Sequence, residues 1–184
     1  MNKLNIQLAC QAVKQGNIIA YPTEAVWGLG CDPYNESAVN KILRLKNRPA
    51  NKGLILIGGH IGQFEQLLSG LSAEHRDTLD AAWPGHITWL VPDPDQLIPQ
   101  WIKGSHQSVA IRVSTHPVVQ KLCSTFAGPL VSTSANRAGE EGIRSRRLLE
   151  DEFADKLACI VDGELGQAAK PSEMRDLFSG KVLR

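Results

Sequence analysis

The chain has 184 residues, 42% of them hydrophobic and 21% charged, which suits one globular domain whose core needs no disulfide or metal staple. Its 20 Lys and Arg against 19 Asp and Glu leave a net charge of +1, which excludes a polybasic, histone-like coat but permits a local basic patch. Four cysteines without Cys-x-x-Cys spacing exclude a zinc ribbon or thioredoxin-type site, and the first 20 residues hold no apolar run of signal-peptide or membrane-span length. A cytoplasmic protein with free, mostly core cysteines is expected, with no membrane partner.

The spacing of Leu4, Leu8, Ala12 and Val13 predicts an amphipathic helix over 4–15, stopped by Gly16. Residues 18–21 read as a short buried strand ended by Pro22. Asn35 is placed to cap a second helix with the stripe Val39, Ile42, Leu43, closed by Pro49. A strand at 54–57 precedes helical stretches around 61–68 and 72–82, and Pro84-Gly85 marks a turn. Strands are expected at 87–91 and 109–113, then a helix from Pro117 to Phe126 with proline at its first position. A strand at 130–133, a helix at 145–153, and strands at 158–161, 174–177 and 182–183 complete the chain. Alternating strands and helices define an α/β class, and connections too short for a helix predict a mixed sheet. One domain over 1–184 is expected, since no repeat or linker interrupts the pattern.

Charge order is more informative than net charge. Residues 37–64 hold no Asp or Glu but contain Lys41, Arg44, Lys46, Arg48 and Lys52. Residues 96–139 hold none either, with Lys103, Arg112, Lys121 and Arg137. Two acid-free segments converging on one cleft would suit a triphosphate or an RNA backbone, while solvated helix faces are the plain alternative.

Three motifs combine basic groups with small hydroxyl residues. In the first, Tyr21 to Gly30, Thr23 falls at a strand end, where ligand groups gather in open α/β sheets; local turn bonds are the alternative. Glu24 beside it is a candidate for an ammonium or a metal-bound water. In the second, Lys46-Asn-Arg48-Pro is followed by Lys52-Gly. Lys46 and Arg48 share a face if extended and suit phosphate oxygens, or else favourably charge a helix C-terminus. The third, Ser132-Thr-Ser134-Ala-Asn136, could orient phosphate, ribose or carboxylate, or simply form a Ser/Thr turn. Gly28-Leu-Gly lacks the remainder of a dinucleotide fingerprint, Gly180-Lys181-Val182 is no phosphate loop, and His60-Ile-Gly-Gln63 lacks the last His of a synthetase signature. The five histidines have no metal-ligand spacing, so no metal site is expected on the chain itself. Trp83 reads as core packing, with base stacking the alternative.

With these segments, the chain resembles the YrdC family, and among its members the short bacterial threonylcarbamoyl-AMP synthases. Ordered matches run from Pro22-Thr-Glu and Gly28-Leu-Gly through Lys46-x-Arg-Pro, Lys52-Gly-Leu-Ile-Leu-Ile and Trp83-Pro-Gly-x-Ile-Thr. They continue through Val109-Ala-Ile-Arg and Ser132-Thr-Ser-Ala-Asn to Pro171-Ser-Glu-Met-Arg-Asp. The resemblance implies a twisted sheet with flanking helices around a concave positive cavity. It implies ATP, L-threonine and bicarbonate as substrates, with Mg²⁺, and threonylcarbamoyl-AMP and pyrophosphate as products. Partner proteins would then pass the threonylcarbamoyl group to adenosine 37 of tRNAs reading codons that start with A, with direct tRNA binding open. Carried over by position, Lys46 and Arg48 are catalytic. Arg48, Lys52, Thr88, Ser134 and Asn136 face ATP, and Thr23, Arg112, Ser132 and Ser172 face threonine.

The chain departs from the family pattern at three places. Trp27 stands where Tyr or Phe is usual. His86 stands where Pro is usual, a change expected to loosen that turn, and Arg137 to Glu141 replace a Leu-Ser-Gly-x-Pro-like loop. The implied chemistry fits the residues: carbamate and ATP are both anions, so catalysis is charge neutralisation and positioning, with no covalent nucleophile required. Two rivals are an RNA-binding or rRNA maturation factor without chemistry, and a carbamoyl-adenylate enzyme of hydrogenase maturation. Relatives of the latter kind are larger and carry extra parts.

Overall fold

Local chemistry sets most of the element boundaries. In the computed structural model, which describes residues 3–184, helix α1 (Lys3–Lys14) ends at Gly16, whose φ of 75° suits a residue without a Cβ. Strands β1 (Ile19–Pro22) and β2 (Trp27–Gly30) form a hairpin. Asn35 caps α2 (Glu36–Lys46) by accepting from the Ala38 amide at 3.0 Å. Then come β3 (Ile55–Gly58), the short α3 (Glu65–Leu68), and α4 (Ala73–Ala82) with Ser72 at its N-cap. Strand β4 (Ile87–Pro92), the one-turn α5 (Gln100–Lys103) and β5 (Ser108–Val113) lead into α6 (Pro117–Phe126), which has Pro117 at its first turn. The chain closes with β6 (Leu130–Ser134), α7 (Arg146–Phe153) capped by Ser145, β7 (Cys159–Ile160) and β8 (Glu173–Asp176).

The strands form one eight-stranded sheet in the order β7-β1-β2-β6-β3-β5-β4-β8. Three pairs are parallel (β1/β7, β3/β5, β4/β8) and four antiparallel, the mixed sheet expected from the short connections. The strand period of two splits the core between its faces. On one face Ala20, Trp27, Leu29, Leu56, Ile111 and Val131 pack with Val39, Ile42, Leu79, Leu149 and Phe153 of α2, α4 and α7. On the other, Ile19, Tyr21, Ile57 and Leu130 are covered by Ile6, Ala9, Cys10 and Val13 of α1 and by Val118, Val119 and Leu122 of α6. These two helices meet only part of that face. Where they stop, a cavity begins.

Several expectations need correction. The buried stripe of α1 is Ile6, Ala9, Cys10 and Val13; Leu8 is 51% exposed, and the side chain of Leu4 lies outside the described residues. Residues 27–30 pair as a strand although two of the four are glycine. The stretch 61–68 is a 3₁₀ turn followed by one turn of α-helix, and 182 contributes a single bridge to Arg175 rather than a strand. Turn 83–86 is not loosened by His86: the Gly85 amide donates to Val113 O at 2.8 Å and the Trp83 indole to Ile87 O at 2.8 Å. All four cysteines are free, three of them buried.

The loop before α5 turns on a buried ion pair. Lys103 Nζ lies 2.6 Å from Asp93 Oδ2, and Asp93 also accepts from the Leu97 and Ile98 amides. Burial pushes the Asp93 carboxyl up, but the Lys103 ammonium and the two amides outweigh it and hold it below the ordinary value. Asp93→Ala is expected to destabilise the protein by about 3–5 kcal/mol in urea unfolding, because it strands a buried ammonium. A carboxyl held low in the folded state stabilises above its unfolded pKa and stops doing so as pH falls. The wild-type advantage over Asp93→Ala should therefore be complete at neutral pH and shrink below about pH 4.

Candidate active site

The cavity has a volume of about 350 Å³, in the range of small-molecule sites. Its floor is a row across the sheet: Gly28 pairs with Ser134, Ser132 with Ile55, Ile55 with Ala110 and Ala110 with Leu90. Four of these six residues are Gly, Ala or Ser, which keeps the space above the sheet open. Around the floor stand Arg48, Lys52, Lys103, Arg112 and Arg184, and among the described residues no Asp or Glu lines the wall. Both acid-free segments thus converge here, through Arg48 and Lys52 from one and Lys103 and Arg112 from the other. Lys41, Arg44, Lys121 and Arg137 do not reach it.

Arg48 follows the left-handed C-cap Asn47 of α2 (φ 50°), so it leaves the helix axis instead of extending it. Its guanidinium donates to Gly53 O at 2.8 and 3.2 Å. Gly53 has φ 61°, and a Cβ there would stand 2.8 Å from Lys103 O, so the bend that presents its carbonyl requires glycine. The buried pair Lys103–Asp93 therefore supports the turn on which Arg48 rests. Burial, then the charge of Arg184, pushes Arg48 down from its ordinary pKa. Burial, then the charge of Arg112, does the same to Arg184. Three guanidiniums are held close enough to repel, the electrostatic mark of a site built for anions.

Arg112 is buried on β5, and its charge is answered. Glu24, in the turn between β1 and β2, places Oε2 3.0 Å from Arg112 Nη1. Glu24 Oε1 accepts from the Ser114 hydroxyl at 2.6 Å and the Thr115 amide at 3.2 Å. Burial pushes this carboxyl up, yet Arg112 and Ser114 hold it below its ordinary value. Glu24 thus anchors Arg112, and its Oε2 holds that ion pair without a hydrogen bond. Thr23 lines the cavity, but its hydroxyl donates to Val26 O at 2.7 Å, so its oxygen is left to accept. The segment carrying Ser172 is held alongside, with the Gly166 and Ala168 amides donating to the carbonyls of Thr23 and Glu24.

Three of the expected site residues lie behind the wall. Lys46, only 3% exposed, donates to Ser134 O, to Asn136 O at 2.7 Å and to Asn136 Oδ1 at 2.9 Å. Lys46 and Arg48 do not share a face, because the left-handed Asn47 separates them. Burial, then Arg48, pushes the Lys46 ammonium down to about 8, so at neutral pH it stays charged and matches three N–H donors to three oxygens. Asn136 Oδ1 also accepts from the Ser134 hydroxyl at 2.5 Å. Its amide donates to the carbonyls of Arg137 and Glu140, which closes the loop that departs from the family pattern. Thr88 is fully buried and bonded to the Ser172 hydroxyl at 2.8 Å. The wall itself carries Thr23, Arg48, Lys52, Arg112, Ser132, Ser134 and Ser172. Trp83 is core, as read.

Arg184 is the residue that sequence reasoning missed. The tail folds back along β8, with Met174 N donating to Arg184 O at 3.0 Å and Leu183 N to Met174 O at 2.8 Å. This pairing brings Arg184 to the cavity beside Ser172, whose carbonyl lies 3.4 Å from its guanidinium. No local motif marks it; only the pairing does.

The mixed α/β fold has known counterparts. The family model Sua5/YciO/YrdC, described as "Telomere recombination", matches residues 11–184, and the chain belongs to that family. It is 50% identical over 184 residues to a protein of Pseudomonas paraeruginosa named threonylcarbamoyl-AMP synthase, covering all of this chain and 98% of that one. The structure of P. abyssi Sua5 complexed with L-threonine aligns with a TM-score of 0.92 at 30% identity. All of this chain is covered, which spans 54% of the Sua5 chain. E. coli YciO aligns with a TM-score of 0.87 at 23% identity over the whole chain and 89% of YciO, a likeness of fold.

The placements separate two kinds of variant. Lys46→Ala takes a donor from Ser134 O, Asn136 O and Asn136 Oδ1, of which the last keeps the Ser134 hydroxyl, and should cost about 1–3 kcal/mol of stability in urea unfolding, together with activity. Arg48→Ala should lose activity about tenfold or more while stability changes by about 1 kcal/mol or less, read by pyrophosphate release beside the same unfolding curve.

Proposed function

We propose that this cavity is where the chain joins carbamoylated L-threonine to AMP. The protein is an enzyme, with the activity its full-length relatives are named for, threonylcarbamoyl-AMP synthase. ATP and threonine are its substrates. The observation that carries the assignment of the site is the wall, which has Arg48, Lys52, Arg112 and Arg184 and, among the described residues, no Asp or Glu.

The two ends of the cavity differ in charge, and so do the substrates. At one end Glu24 offsets Arg112, which suits an amino acid that brings one carboxylate and one ammonium. At the other, Arg48, Lys52 and Arg184 form no ion pair with any carboxylate among the described residues, which suits a triphosphate. In this reading Arg112, Thr23, Ser132 and Ser172 hold threonine, and Arg48, Lys52, Arg184 and Ser134 hold ATP. Lys46 and Asn136 act from behind, by fixing the backbone and hydroxyl of Ser134; Thr88 acts likewise through Ser172.

The threonine amine adds to bicarbonate with loss of water, giving a carbamate. A carbamate oxygen then attacks the α-phosphorus, the bond to the bridging oxygen breaks, and pyrophosphate leaves with the electron pair. Two anions must meet, so the cations lower the barrier by neutralising charge that grows on the leaving phosphates. Among the described residues no three His, Cys, Asp or Glu side chains gather to hold a metal. Mg²⁺ carried by the triphosphate would add to the neutralisation of its charge beside Arg48, Lys52 and Arg184. We place the reaction in the cytoplasm, where partner proteins would carry the threonylcarbamoyl group to adenosine 37 of tRNA. Direct tRNA contact through the basic segments would show as steeply salt-dependent binding.

Purified protein with ATP, threonine and labelled bicarbonate should release pyrophosphate and form a labelled adenylate. Serine should be used less well, by about 10–200-fold, since it lacks one methyl. Pyrophosphate release that does not depend on threonine would overturn the assignment. Arg184→Ala should raise KM for ATP about tenfold and leave KM for threonine near wild type.

A further inference from the structure

The ring of His86 stands between Arg112 and the segment that carries Ser172. Arg112 Nη1 donates to His86 Nδ1 at 3.2 Å, and His86 Nε2 donates to Lys170 O at 2.9 Å. A guanidinium only donates and a carbonyl only accepts, so the two bonds coexist only in the neutral ring with its hydrogen on Nε2. Glu24 Oε2 lies 3.0 Å from the same Nη1. Nη1 thus hydrogen-bonds the ring and faces Glu24 as an ion pair without a hydrogen bond, and the Nε–Nη2 edge makes no bond to any described residue. That edge is one of the two by which a guanidinium grips a carboxylate in two parallel bonds.

We propose that His86 is a positioning residue for the substrate carboxylate: it fixes the rotation of Arg112 so that the Nε–Nη2 edge faces the cavity, and it does so only while its ring is neutral. This rests on the reading that Arg112 holds threonine. Protonating the ring sets an N–H against Nη1–H and a second cation beside Arg112. The charged groups around the ring are Arg112 on β5, Glu24 in the β1–β2 turn, Arg184 on the tail and the exposed Lys170. Only Glu24 could answer the new charge, and its Oε2, which makes no hydrogen bond, is the oxygen already paired with Arg112. A cationic His86 would compete with Arg112 for Glu24 and release the guanidinium from its fixed orientation.

The test is steady-state pyrophosphate release at saturating ATP and fixed bicarbonate, for wild type, His86→Ala, His86→Gln and Arg112→Lys between about pH 6 and 8. At the upper pH, His86→Ala should raise KM for threonine about tenfold with kcat within about twofold. His86→Gln keeps one acceptor and one donor without titrating, so it should recover most of that loss. On acidification wild-type KM should rise more steeply than that of His86→Gln; the ratio of the two cancels the titration of threonine and bicarbonate. Wild-type KM in His86→Ala would overturn the proposal, as would His86→Gln as impaired as His86→Ala with a flat ratio. Arg112→Lys keeps a cation opposite Glu24 but loses the fork. An unchanged threonine KM in that variant would instead overturn the carboxylate assignment on which the proposal rests.

Discussion

Arg48, Arg112 and Arg184 are forced together against their own repulsion, and the architecture is arranged to bear that strain. Burial and neighbouring charge push Arg48 and Arg184 below their ordinary pKa values, yet guanidiniums keep their charge. Each is therefore held by something that accepts: the Gly53 carbonyl for Arg48, Glu24 for Arg112, the Ser172 carbonyl for Arg184. Only one of these acceptors is an anion. The remaining positive potential is relieved when a polyanion enters, so substrate binding and relief of repulsion are the same event. The same feature orients the substrates, because the end with Glu24 is nearly neutral and the other is not.

The fold supplies these positions from distant parts of the chain. Helices α1 and α6 cover one part of a sheet face and leave the next part bare, floored by Gly28, Ala110, Ser132 and Ser134. The glycine-bearing β2 lies beside β6, so Gly28 opens space next to Ser134. Lys46 then fastens the end of α2 to the end of β6 from beneath. Its ammonium holds the Ser134–Asn136 turn from behind, while Arg48, Lys52, Arg112 and Arg184 line the cavity.

Whatever is written in short-range chemistry could be read from the sequence. Asn35, Ser72, Ser145 and Pro117 mark helix starts because capping acts within four residues. The Lys46/Arg48 and Ser134/Asn136 pairs were readable as motifs, and their meeting follows the β2/β6 and β3/β6 pairings. What stayed hidden depends on partners far along the chain. Residues 27–30 look like a turn until β1 and β6 flank them. Leu8 fits a helical stripe but faces away from the sheet. Glu24 resembles a free ligand until Ser114, Thr115 and Arg112 surround it, and Arg184 carries no signal at all until the tail pairs with β8. The carbonyls that hold Arg48 and Lys46 are invisible in a sequence, because every residue has one.

The central claim is that one cavity receives both anions, with the carboxylate at Arg112 and the phosphates among Arg48, Lys52 and Arg184. A crystal structure of the protein with L-threonine and an unreactive ATP analogue tests it directly. The account predicts the threonine carboxylate on the Nε–Nη2 edge of Arg112, the α-phosphate within reach of the amino group, and the outer phosphates against Arg48 and Arg184. A triphosphate bound elsewhere, or a threonine whose carboxylate turns away from Arg112, would contradict it.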